Sequence, residues 1–200
     1  MRTRQLVISL FVLVVCCAPA AFAATAEYDS LRRLNRIEAK HAYRDLAPAA
    51  RQQVWTDHLI AFIANHPDLA DDQRDLIYQA LGIVSSGMFT VERTDPRWMT
   101  LFERPLARTV ARAKEIFPPE LVLEAFYSVS EEPAEVSTPR TSRHTGLQMG
   151  TNAACECASL DPYCDSPDMT CKGGRPGCTP VPSYDCGPFF TYACDGWCQF

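Results

Sequence analysis

The sequence predicts an all-α helical N-terminal domain, a small bundle, joined by a flexible linker to a small disulfide-rich C-terminal domain with little regular structure. Three observations carry this. Eight of the ten cysteines fall in the last 46 residues, while the 128 residues from Glu27 to Ala154 hold none. Within that cysteine-free stretch, apolar residues recur at helical spacing. The end of that stretch, over 130–153, is a run rich in Ser, Thr, Pro, Glu and Gly that buries little apolar area. The C-terminal piece is too short to fold on a hydrophobic core alone, since domains near ~40 residues usually need disulfides, a metal or a partner.

The elements follow in order. Met1-Arg2-Thr3-Arg4 precedes an apolar run from Leu6 to Val15 and small residues through Ala21-Phe22-Ala23. A basic start, a short apolar middle and an A-x-A exit describe a secretory signal peptide over 1–23, with cleavage after Ala23 or Ala26. The run is short of the roughly 20 residues that span a bilayer. A lipoprotein would need a small residue before Cys16 or Cys17, where Val15 and Cys16 stand. The mature chain is expected to be secreted or periplasmic.

The helical body is expected over 27–129. Tyr28 to Tyr43 carries Leu31, Leu34, Ile37 and Ala42 near helical spacing, with Asp29 or Ser30 as N-cap. Pro48 fits a first turn, after which Trp55, Leu59, Phe62 and Ile63 line one face until His66-Pro67. Asp68, Asp71, Asp72 and Asp75 load the start of the next helix, where its dipole favours negative charge. Leu76, Ile77, Ala80, Leu81 and Val84 form its buried face, ending near Ser85-Ser86-Gly87. Asp95-Pro96 reads as a cap and first-turn proline opening a helix with Trp98, Leu101 and Phe102, which Pro105 should kink or split. Leu106, Val110, Ala113 and Phe117 continue the stripe, and Val122, Ala125, Phe126 and Val129 form a last face. Such helices suit a bundle.

Nothing in the body has the pattern of a catalytic centre. It holds no H-E-x-x-H, G-x-S-x-G, phosphate-binding glycine loop or calcium loop. His41, His58 and His66 read as structural or solvated, the Asp68–Asp75 acids as helix caps, and Trp55 and Trp98 as core. No enzyme activity, cofactor or metal is expected.

The linker, expected over 130–153, contains Glu131-Glu132-Pro133-Ala134-Glu135 and then Arg140 and Arg143. Exposed segments of this composition are where proteases cut. Arg140, Arg143, Ala153 and Ala154 mark the candidate processing region, with a processing protease as partner. A plain interdomain connection is the alternative.

Export leaves an even set in the domain over 154–200: Cys155, Cys157, Cys164, Cys171, Cys178, Cys186, Cys194 and Cys198. In an oxidising compartment these read as four disulfides. Zinc would call for C-x-x-C knuckles or histidines, and this region has neither. Cys155 and Cys157 are not expected to pair with each other, because alternate residues of a strand make a poor bridge. Reduction should unfold this region and leave the helical body indifferent. Six acids against Lys172 and Arg175 give it a net charge near −4, which argues against nucleic acid.

The cysteine frame is C-x-C, then gaps of six, six, six, seven, seven and three residues. Within it stand Ala153-Ala154 at the entry, Asp161-Pro162-Tyr163-Cys164, and Tyr192-Ala193-Cys194-Asp195-Gly196. In these features the region from Ala153 to Phe200 resembles bacteriocin fulvocin C and the fulvocin C-related secreted proteins. It departs from them at Tyr192, which stands where fulvocin has a cysteine, and at Cys198, which lies beyond the Gly196 turn.

The resemblance implies a secreted precursor of an antibacterial peptide acting on the envelope of competing bacteria. The partner would be a membrane or envelope receptor of the target cell. Phe189, Phe190, Tyr192, Trp197 and Phe200 are the candidate contact residues, since aromatics on a rigid frame can enter the acyl–headgroup boundary. Alternatively they form the region's own miniature core. On domain order alone, the helical region would mask this aromatic face or confer self-protection until release. Two other readings stand beside it. One is a disulfide-rich binding module such as a protease inhibitor, presenting Lys172 or Arg175. The other is an uncleaved structural envelope protein that uses the region as a plug.

Overall fold

The computed structural model describes residues 25–131, 153–154, 157–159, 161, 170–173, 178–179 and 181–199. Thr25 opens the described chain as a helix cap. Its Oγ1 accepts the Tyr28 N–H at 3.4 Å, and its own N–H donates to the Asp57 carboxylate at 2.8 Å. Helix α1 (Ala26–Leu31) buries Tyr28 and Leu31.

The single helix expected across Tyr28–Tyr43 is two. A turn interrupts it, and Asn35 starts α2 (Arg36–Arg44) by accepting the Glu38 N–H on its side chain at 2.9 Å. Asp29 and Ser30 lie inside α1 and cap nothing. Asn-x-x-Glu is a capping signature, and satisfying an orphan N–H there outweighs continuing the apolar stripe. Arg51 closes the end of α2, donating to the Leu46 carbonyl at 3.0 Å and to the Arg44 carbonyl, with its guanidinium 5.5 Å from the Tyr43 ring centroid.

Helix α3 (Pro48–Asn65) begins and ends where its prolines require, and buries Trp55, Leu59 and Phe62. Helix α4 (Asp71–Ser85) has Asp71 and Asp72 in its first turn and buries Leu76, Ile77, Ala80 and Val84. The chain leaves it through Gly87, whose φ of 97° is the left-handed backbone that glycine adopts without strain. Gln73 ties two helix ends together, accepting from the Ala70 N–H at 3.1 Å and donating to the Ile116 carbonyl at 2.7 Å.

Asp95-Pro96 does not open a helix. Asp95 Oδ1 instead accepts the Arg97 N–H two residues on, at 2.8 Å, which fixes a turn. The helix begins later, as a π-helical turn (Met99–Glu103) that runs into α5 (Arg104–Ile116). Pro105 has no N–H to give, and the Arg104 N–H reaches back five residues to the Met99 carbonyl. That widened turn is how the expected split is accommodated. Helix α6 (Pro119–Tyr127) buries Val122, Leu123, Ala125, Phe126 and Tyr127.

Past α6 the chain is still held by the body. The Ser130 Oγ donates to the Leu34 carbonyl at 2.5 Å, and the Glu131 N–H to the Arg32 carbonyl at 3.0 Å. The Glu131 carboxylate pairs with the Arg32 guanidinium at 3.0 Å.

The described residues of the C-terminal region form short strands: β1 (Ala153–Ala154), β2 (Thr170–Gly173), β3 (Cys178–Thr179), β4 (Val181–Cys186), β5 (Tyr192–Cys194) and β6 (Gly196–Gln199). They pair as a parallel β1–β3 ladder and antiparallel β2–β6 and β4–β5 ladders. Between β4 and β5 sits a single 3₁₀ turn (Pro188–Phe190). The described residues are thus mostly helical, with a small C-terminal region of short strands that carries disulfides.

An aromatic loop seated in the helical body

The β4–β5 hairpin is closed at its tip by a disulfide. Cys186 and Cys194 are bonded, with Cα atoms 5.3 Å apart, and enclose Gly187-Pro188-Phe189-Phe190-Thr191-Tyr192-Ala193. Two glycines explain why the chain can turn so tightly here. Gly187 has φ 71°, and a Cβ on it would lie 2.1 Å from the Tyr192 ring, so the tyrosine covers the glycine face to backbone. At Gly196 a Cβ would lie 2.6 Å from Cys171 Sγ and 3.2 Å from Cys157 Sγ. Only glycine lets the backbone press onto the second disulfide, Cys157–Cys171. The Tyr192-x-Cys194-x-Gly196 pattern therefore has a physical task at each of its three positions.

The loop's two phenylalanines point into the helices. Phe189 is 0% exposed and Phe190 6%, and both belong to the core of the helical body. The Phe189 ring meets Trp55 edge-on at 4.8 Å and Phe126 at 5.5 Å. Phe190 meets Tyr43 at 5.2 Å and Trp55 at 5.3 Å, both edge-on. Helices α2, α3 and α6 thus supply the walls of a socket. Both phenylalanines have φ 53°, left-handed backbone that costs a side-chain-bearing residue about 1–2 kcal/mol. Burying each ring contributes about 2–3 kcal/mol, and each edge-to-face contact about 1 more. Burial wins, and the strained turn persists because the socket holds it.

The rim is polar. Asp161, whose side chain is 7% exposed, accepts from Lys114 Nζ of α5 at 3.0 Å and from the Tyr127 hydroxyl of α6. Lys40 of α2 brings Nζ to 3.5 Å from Cys186 Sγ and 6.0 Å from the Phe190 ring centroid. Thr191, fully buried, donates its hydroxyl to the Pro188 carbonyl at 2.7 Å. The Tyr192 phenol is held above its ordinary pKa, first by burial and then by the Glu103 and Asp161 carboxylates, with Arg93 opposing.

Beneath the socket, His58 is buried beside Trp55, ring centroids 5.3 Å apart. Its Nε2–H donates to the Glu124 carbonyl at 2.9 Å, and Nδ1 accepts from the Tyr28 hydroxyl at 3.4 Å. Burial pushes its pKa down to about 4, against a smaller upward pull from Glu124. A neutral, doubly hydrogen-bonded imidazole is a structural histidine. The open groove between α4 and α5 has Asp72, Asp75, Gln79, Arg108 and Arg112 in its lining and no histidine or cysteine. Among the described residues no cluster of His, Cys, Asp or Glu is placed to hold a metal. No described helix is long and apolar enough to cross a membrane.

No protein-family model, curated protein or solved structure matches the chain.

The sequence-predicted residues are distributed as follows. Cys157, Cys171, Cys186 and Cys194 form the two bridges above, so Cys157 does not pair with Cys155; Cys198 is also disulfide-bonded. Cys178 lies in β3, and Ala153 and Ala154 in β1, paired with Cys178 and Thr179. Trp197 lies in β6 opposite Lys172, which is exposed on β2. Cys155, Cys164, Phe200, Arg140, Arg143 and Arg175 lie outside the described residues. Phe189 and Phe190 form neither an exposed face nor a miniature core of their own. They complete the core of the other half. The expectation that the body is indifferent to reductant does not fit this packing, because the Cys186–Cys194 bridge closes a loop that fills the helical core. Asp161 was legible only as one acid among six; nothing local in the sequence signals Lys114 and Tyr127 as its partners.

Proposed function

We propose that the chain is the exported precursor of a fulvocin C-like antibacterial peptide that acts by contact with the envelope of competing bacteria, without bond-making chemistry. The helical body keeps the peptide's aromatic loop latent. One observation carries this reading: the Phe189–Phe190 pair, the densest apolar element of the cysteine-framed region, is sequestered between Trp55, Phe126 and Tyr43. Disulfide bonding at the described cysteines is compatible with an oxidising, extracellular setting. Cleavage after Ala23 suits the fold better than cleavage after Ala26, which would remove Thr25 and with it the α1 cap and the Asp57 hydrogen bond.

Intact-mass measurement of culture supernatant tests the precursor reading. A fully oxidised fragment beginning near Ala153 and inhibiting related bacteria supports it. A second reading, an uncleaved envelope protein, draws on the same burial, because two halves sharing one core gain stability by staying together. Only full-length mature protein in the supernatant would favour that one.

A further inference from the structure

We infer that the helical body is a non-covalent receptor for the Cys186–Cys194 loop and retains it after the chain is cut between residues 132 and 152. This deepens the precursor reading, on which it rests for its biological sense, by naming the partner that a cleaved peptide must first leave.

Three sets of contacts join the loop's region to the helices, and none depends on the covalent connection. Phe189 and Phe190 fill the socket of Tyr43, Trp55 and Phe126. Asp161 binds Lys114 on α5 and Tyr127, the neighbour of Phe126 on α6. Lys40 covers Cys186 and Phe190 from the side. A dry aromatic centre ringed by charged and hydroxyl groups is the anatomy of a protein-binding hot spot. The ligand is also preorganised. A bridge across eight positions and the β4–β5 ladder hold the loop's ends together before it meets the socket, so seating it has only the Phe189–Phe190 turn left to order.

Scission changes one quantity: the effective concentration of the loop at its socket. Cutting therefore yields a nicked complex, not a free peptide, and the emptied socket can accept the loop of a second copy. The body acts as a stoichiometric antagonist of the peptide it was made with.

The test uses the full oxidised chain with a site-specific protease sequence replacing residues 140–143. After complete cutting, the two pieces are expected to co-elute in gel filtration at the volume of the uncut protein and to part only in denaturant. Phe189→Ala is expected to weaken retention at least about a hundredfold. Should the Phe189→Ala chain fail to fold, the wild-type nicked protein is challenged with excess synthetic peptide spanning 186–194. The oxidised peptide should displace the C-terminal piece, and the same peptide with both phenylalanines changed to alanine should not. Separation of the wild-type pieces on cutting overturns the inference. So does retention that neither Phe189→Ala nor the oxidised peptide affects. Neither result bears on which fragments the cell releases, so this failure is distinct from failure of the precursor reading.

Discussion

The helical body builds its interior from Trp55, Leu59, Phe62, Ile77, Leu106 and Phe126 on several helices, whereas the C-terminal region gathers sulfur. Among the described residues its small clusters are Ala158 with Cys186 and Cys194, and Cys157 with Cys171. A short chain stapled by disulfides does not need its aromatics for its own core. It can spend them elsewhere, and Phe189 and Phe190 are lent to the larger half. The contrast teaches that a region cross-linked by disulfides can still share a hydrophobic core with its neighbour.

The sharpest way to break this comparison is to shorten the lent side chains. Phe189→Ala in the full chain should destabilise the helices by about 3–5 kcal/mol, read as a lower denaturant midpoint of the helical circular dichroism. Phe190→Ala, at the rim beside Lys40, should cost less. If the region stood alone, both would be silent in that signal.

The next effect is on the body alone and runs with pH. The His58 imidazole protonates near 6.5 when unfolded and only near 4 when folded. Between those values the unfolded state takes up more protons, so stability falls as pH drops from about 6.5 to 4, by about 3 kcal/mol in all. His58→Gln should flatten that slope in pH-resolved denaturation, whatever its cost at neutral pH.

Redox comes third. Opening the Cys186–Cys194 loop, as Cys186→Ser with Cys194→Ser, should lower helical stability by roughly 2–3 kcal/mol in the chain-entropy picture. The smallest effect belongs to a cap. Asn35→Ala removes the acceptor of the Glu38 N–H and should cost about 1 kcal/mol, confined to α2 and the Tyr43 wall of the socket.

Much of the helical body was legible because its information is local. Apolar spacing marks α3, α4 and α6, and Pro48, His66-Pro67 and Pro118-Pro119 mark their ends. The break between α1 and α2 was also written locally, as Asn35-x-x-Glu38, but the apolar stripe running through it was the louder signal. At Asp95-Pro96 the aspartate was a true cap, of a turn and not of a helix. The socket was not legible. Two adjacent phenylalanines between cysteines say that something must bury them. Whether that is a membrane, their own domain or Trp55 far upstream is decided by long-range packing, which leaves no periodicity in the sequence.

The central claim, that the loop's phenylalanines lie inside the helical core, is tested most directly by through-space nuclear Overhauser contacts in the full-length oxidised protein. Strong contacts are expected from the Phe189 ring to those of Trp55 and Phe126, and from Phe190 to Tyr43. Phenylalanine signals at solvent-exposed shifts, with no contact to Trp55, would contradict it.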